Sequence, residues 1–208
     1  MTPRENQPGV VFVMIGPGGA GKNAIMKAIM ADVPAVRQLA TATTRPMRAD
    51  ERQGREHLFV SETRFREMIQ NDELLEHQEV TPGKYYGIPR RTVDDNLAAG
   101  AALIADIEVL GAMRLAAAYP DNVVQIFITV PGGDIAEQLS VLAERMRGRA
   151  DGATDIEQRL ERARRLELPY QKRCDYIVVN DDLARAIRNT STIVRQEMKQ
   201  RIGQGERT

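Results

Sequence analysis

The octet GPGGAGKN at residues 16 to 23 directly follows the apolar run VVFVMI and opens the stretch KNAIMKAIM. That order is strand, glycine loop, helix, and it restricts the chain to an α/β fold in which a buried strand feeds a helix N-terminus. Gly16, Gly18, Gly19 and Gly21 let the backbone turn its N–H groups inward around an anion, with Pro17 and Ala20 completing the loop. The helix beginning near Lys22 adds the positive end of its dipole, and Lys22 adds a mobile ammonium. This is the spacing GxxxxGK[ST] of a phosphate-binding loop, with one departure. Asn23 stands where a hydroxyl ordinarily ligates the magnesium of a bound nucleotide, so the metal is expected on the Asn23 carboxamide, directly or through a water.

A chain of 208 residues buries one ample core with room for a small excursion or lid. Its 29 basic and 29 acidic side chains cancel, which gives no global field to draw in nucleic acid or an anionic membrane. Small-molecule nucleotides are the expected partners. No apolar stretch approaches the roughly 20 residues of a membrane span, and MTPRENQPG lacks the apolar centre of a signal peptide, so a cytoplasmic protein is expected. Cys174 is the single cysteine and reads as structural, near a C-terminal strand. With His57 and His77 the only histidines, no zinc spacing exists.

Apolar runs alternate with amphipathic stretches: VVFVMI (10 to 15), HLFV (57 to 60), ALIADI (102 to 107), VVQIFITV (123 to 130) and YIVV (176 to 179). The β, α, β order implies a mostly parallel sheet flanked by helices, with ligands gathered at the C-terminal ends of its strands. Asp106, closing ALIADI, is expected at such an end. Residues 37 to 89 break the rhythm with short strand-like pieces, one helix at SETRFREMIQND and the turn TPGK, and they read as an insertion between core segments 8–36 and 90–208. The polar stretch within 145 to 158 joins two helical patterns and has the glycines and arginines that a phosphate-closing lid needs.

Within the insertion, TATTRPMRADERQGREH sets Arg45 and Arg48 about the stiff Pro46, with Glu51 after them. Two guanidinium forks held this close suit a second phosphate, separate from the one at the glycine loop.

At this point the chain resembles the guanylate kinases, from about residue 10 to residue 195. The segments concerned are GPGGAGK, TTRPMRADE, HLFVSETRF, LLEHQEV, YYGIPR, the DIE of ADIEVLG, RGR in the lid stretch and VVNDD near the end. Together and in order they are far more specific than the glycine loop, which alone fits many nucleotide hydrolases. The resemblance implies a P-loop kinase core with a GMP-binding insertion and a short lid, and phosphorylation of GMP or dGMP by ATP with Mg²⁺. It further implies that Arg45, Arg48 and Tyr86 hold the GMP phosphate, with Glu51, His57 and Asp106 nearby, and that Glu76 reads the guanine edge, helped by Thr41 and Glu108. Lys22 and the loop amides would hold the ATP phosphates while Arg145, Arg149 and Arg159 close on the transferring group, and Asn180 and Asp181 would lie at the adenine side. One carboxylate can accept from both the N1–H and N2–H of guanine, whereas adenine would present it with an acceptor.

Several positions depart from the family pattern. Besides Asn23, His57 stands where tyrosine is usual, Ile88 for a hydroxyl residue, Glu108 for aspartate and Leu110 for glutamine, and the TPGK turn holds one extra residue. Two other readings compete. A related kinase acting on a phosphorylated ribose predicts loss of the guanine reader, yet Glu76 is present. A guanylate-kinase-like module that only binds partners predicts loss of the loop lysine, yet Lys22 is present.

Overall fold

The computed structural model describes residues 9–148 and 153–205. Among these residues, nine strands form two sheets. In the first, five parallel strands lie in the order β2-β7-β1-β8-β9: β1 (Val10–Ile15), β2 (Val36–Gln38), β7 (Ala102–Asp106), β8 (Val123–Thr129) and β9 (Tyr176–Val179). All six residues of β1 are buried, as an unbroken apolar run at the centre of a sheet covered on both faces requires. Helices α1 (Lys22–Asp32), α3 (Arg90–Ala98), α4 (Val109–Ala118), α5 (Ile135–Arg147), α6 (Ala153–Arg162), the short α7 (Leu168–Tyr170) and the long α8 (Leu183–Gly205) surround this sheet.

The second sheet has the order β4-β3-β6-β5, built from β3 (Thr41–Thr43), β4 (His57–Phe59), β5 (Leu74–Thr81) and β6 (Lys84–Pro89). Helix α2 (Glu62–Gln70), capped by the Ser61 side chain accepting from the Arg64 amide at 3.1 Å, packs Phe65 and Met68 against Ala42 and Leu74 in a small separate core. Two details differ from the sequence reading. HLFV joins this second sheet, where β4 pairs with β3, and not the succession of core strands. Residues 37 and 38, read as the start of the insertion, belong to β2 and pair with β7 in the first sheet.

The register Met14↔Asp106 brings the C-terminal end of β7 level with the end of β1. Chain order passes from β7 on one side of β1 to β8 on the other, so the first loop lies at the point where the sheet's winding reverses. That is where ligands of such sheets collect. Among the described residues, no helix is long and apolar enough to cross a membrane.

Candidate active site

Residues 16–21 link β1 to α1, and Gly21 is the N-cap with φ +96°. A Cβ there would stand 2.3 Å from Asn180 Nδ2, so the left-handed backbone and the close neighbour both require glycine. Asn180 is buried behind the loop, donating its side-chain amide to Ala20 O at 2.7 Å and its backbone N–H to Thr129 O at 2.8 Å. The Arg145 guanidinium in turn donates to Asn180 O at 2.7 Å. Two residues expected to face ATP thus brace the loop from behind. Asp181 is exposed and turned to Arg185, which holds its carboxyl down at about 2.

Lys22 is the first residue of α1, and its side chain is only 15% exposed. Its ammonium folds back to donate to Gly16 O at 2.6 Å and Pro17 O at 3.3 Å, and stands 3.8 Å from Asp106 Oδ1. Desolvation in the cleft pushes the Asp106 carboxyl above its ordinary range, opposed by the Lys22 charge. Asn23 is exposed on the first helical turn, with no side-chain partner among the described residues. Over the loop, a Cβ added at Gly18 would be 3.8 Å from Arg159 Cδ, so the stem of Arg159 lies above the glycines while its guanidinium meets Asp155 at 2.7 Å. Gly16, Gly18, Lys22, Asp106, Asp155 and Arg159 line a cavity of about 440 Å³. Arg149 lies outside the described residues.

A second cavity of about 280 Å³ shares Lys22, Asp106 and Glu108 with the first and extends beneath the second sheet. Tyr86 of its lining accepts from Arg45 Nε at 3.1 Å, and Arg45 is held from other sides too: its Nη atoms grip both oxygens of Glu51 at 2.6 and 2.5 Å, and the guanidinium lies 5.3 Å from the Phe59 ring centroid. Glu51 also accepts the Arg48 amide at 2.8 Å, and these donors, Arg45 foremost, hold its carboxyl at about 2. Glu51 is therefore turned toward Arg45, whose guanidinium it orients, and the backbone of Arg48, whose side chain extends into solvent. Thr41 Oγ1 and His57 Nδ1 are 2.8 Å apart, and burial, with the Arg45 charge, pushes the His57 pKa down, which favours its neutral ring.

Glu76 lies deepest. Alternation along β5 and β6 points Glu76 and Gln78, with Ile88 and Tyr86 opposite, into one cavity wall. The Glu76 residue is 7% exposed, no hydrogen-bond donor is bound to its carboxylate among the described residues, and burial raises its pKa, opposed by Arg114. A buried carboxylate in that state is short of donors that a ligand would supply. Gly111 of α4 makes the room: an added Cβ would stand 2.7 Å from Ile107 Cγ2 and 3.0 Å from Glu76 Oε2. Gly111→Ala should gain up to about 1 kcal/mol in helix propensity yet displace Glu76. We expect a several-fold rise in the KM of the nucleotide acceptor with melting nearly unchanged; steady-state kinetics beside a thermal melt checks this.

The sequence profile of the guanylate kinase family matches residues 9–197. The chain belongs to the guanylate kinase family. A guanylate kinase of Maricaulis maris is 36% identical over 200 residues, covering 96% of this chain and 88% of that protein. One from Gloeobacter violaceus is 38% identical over 189 residues, covering 90% and 88%. The crystal structure of guanylate kinase from Anaplasma phagocytophilum superposes with a TM-score of 0.65 at 28% identity, covering 93% of this chain and 88% of that one.

Against the family pattern, Ile88 is buried beside Glu76 and presents only a hydrocarbon wall, and Leu110 is 55% exposed on α4. Glu108, one methylene longer than the usual aspartate, turns to Arg162 of α6. The sequence reading did not single out Arg162, Glu167 or Gly111. For Gly111 a glycine inside a helical pattern was the available cue. For the other two no sequence cue existed.

Proposed function

We propose that this guanylate kinase family member transfers the γ-phosphoryl group of ATP to GMP, with the glycine loop as donor site and the Glu76 cavity as acceptor site. The observation that supports this most strongly is the shared border of the two cavities at Lys22 and Asp106. A phosphoryl donor on one side and an acceptor monophosphate on the other would meet at the Lys22 ammonium. Phosphoryl transfer asks little covalent work of a protein; it needs alignment and neutralisation of crowded oxygens.

In this reading the phosphate-binding loop and the start of α1 take the ATP phosphates through backbone N–H groups. Lys22 leaves Gly16 O for the transferring group, and Asn180 with Arg145 keeps the loop rigid. Arg159 and Arg149 are the lid cations, and the connection around residues 145 to 158 closes over the donor to exclude water. Arg45, pre-oriented by Glu51, joins Arg48, Tyr86 and His57 at the acceptor phosphate. Glu76 accepts from guanine N1–H and N2–H, satisfying both carboxylate oxygens at once. An adenine there would leave the buried carboxylate unpaired. Neither the ribose-kinase reading nor the binding-module reading is favoured, because the guanine reader and the loop lysine occupy these positions together. ATP and GMP are cytoplasmic metabolites, and we place the protein there.

Magnesium accompanying ATP asks for one or two hard oxygen ligands besides phosphates and waters. The unpartnered Asn23 carboxamide and the Asp106 carboxylate fit that donor set, directly or through water. The bound ion would supply charge neutralisation on the phosphate oxygens. Since the Asn23 amide reaches further from the backbone than a serine hydroxyl, Asn23→Ser should lower the magnesium concentration giving half-maximal rate several-fold. It should shift the magnesium dependence of ATP binding in calorimetry likewise, with GMP affinity unaltered. An unchanged magnesium dependence in both would remove Asn23 from the metal.

ADP release measured with GMP, dGMP, AMP, UMP and ribose bisphosphate at fixed MgATP tests the whole reading. GMP should be used at least about 10²-fold more efficiently than AMP, and equal use of the two would refute it.

A further inference from the structure

Among the described residues, the donor cavity that must receive a polyanion is lined by four carboxylates and three cations. Lys22 faces Asp106, and Arg159 faces Asp155. Arg162 faces the remaining two: its Nη2 pairs with Glu108 and its Nε stands 3.5 Å from Glu167 Oε1. Glu108 sits at the N-cap of α4 and also lines the acceptor cavity, so its charge is presented to both substrates.

The local backbone is shaped for this contact. Residues 162 and 167 are five apart, and in a regular α-helix at roughly 100° per residue they would point to widely separated directions. The helix passes instead through a π-turn over Ala163–Glu167, whose i→i+5 spacing returns Glu167 to the side of Arg162. Glu167 is buried with its pKa raised by desolvation, and Lys22 and Arg162 oppose the shift. Without Arg162, an acid pair would face the phosphates of the incoming nucleotide.

We propose that Arg162 is a positioning residue for phosphoryl transfer, which draws Glu108 toward the lid-side helix α6 and cancels its charge so that the wall between the two cavities admits both phosphates. This rests on the acceptor-site reading above. The Arg162 and Glu108 side chains are 41% and 34% exposed, so the pair contributes little to stability, and its effect should appear in substrate binding.

The test is a double-mutant cycle read as KM for GMP. Arg162→Ala frees the Glu108 charge and should raise that KM by roughly tenfold, with kcat much less affected and melting within a few degrees of the parent. In the Glu108→Gln background the same substitution should change KM less than about twofold, because the charge bordering the acceptor cavity is already gone and Glu167, which Arg162 would still release, lines the donor cavity and not the acceptor cavity. Arg162→Lys gives the same readout should the alanine variant fail to fold: any rise it causes should likewise vanish with Glu108→Gln. Equal rises with and without Glu108→Gln, or no rise at all, would overturn the proposal. Glu76→Gln is measured alongside: if GMP KM ignores that change too, the acceptor-site reading falls and the proposal with it, whereas a response at Glu76 with additive behaviour at Arg162 and Glu108 refutes the proposal alone.

Discussion

Lys22→Ala should abolish nearly all turnover while leaving a folded protein. In the resting structure the ammonium bonds to two carbonyls of its own loop, contacts whose loss should cost about 1 kcal/mol, a melting shift of roughly 2–4 °C for a chain this size. In the reacting complex the same charge would stand where the donor and acceptor cavities meet, the place at which negative charge must be neutralised as the phosphoryl group moves. Removing a preorganised group of that kind typically costs at least about 10²-fold in rate. Asp106 would then lose the cation that faces it, but a carboxyl whose pKa is already raised can relieve the loss by taking up a proton. Lys22→Met, which keeps the stem and removes the charge, separates packing from electrostatics. A variant of either kind with more than about a tenth of parental turnover would show that Lys22 is misassigned.

The second large effect belongs to Glu76. Glu76→Gln replaces one of two acceptors by an NH₂ that confronts a guanine donor in a buried site. GMP efficiency should fall by roughly 10²-fold while the poor efficiency with AMP stays nearly constant. The pH dependence has a definite sign. Burial raises the Glu76 pKa, guanine donors favour the ionised form, and protonation therefore opposes GMP binding. KM for GMP should rise as pH falls through the raised pKa, and the glutamine variant should lack that acid limb. A glutamine enzyme that keeps both its preference and its pH profile would place base recognition elsewhere.

How far these residues could be read from sequence depended on the range of the interactions that place them. β1 was legible because six consecutive apolar residues are what a central parallel strand needs, and the glycine loop after it has fixed spacing. β2 was not, since VRQ is three residues at a sheet edge with only Val36 buried, too short for any periodicity to register. The acceptor site was legible as a set of residue types through resemblance, but not in its division of labour. Nothing in TTRPMRADE says that Glu51 would turn inward to orient Arg45, and nothing in VVNDD says that Asn180 would be buried behind the loop it supports. Arg162 and Glu167 meet only because the helix makes a π-turn between them, a backbone feature with no residue signature.

The most direct test follows the label in a single turnover, with protein in excess over ATP labelled at the γ-phosphorus and GMP and AMP offered in equal amounts with magnesium. Transfer between the two cavities with Glu76 as reader requires nearly all the label to appear in GDP, as its β-phosphate, in step with ADP formation. Label divided evenly between GDP and ADP, or released as inorganic phosphate with GMP present, would contradict it.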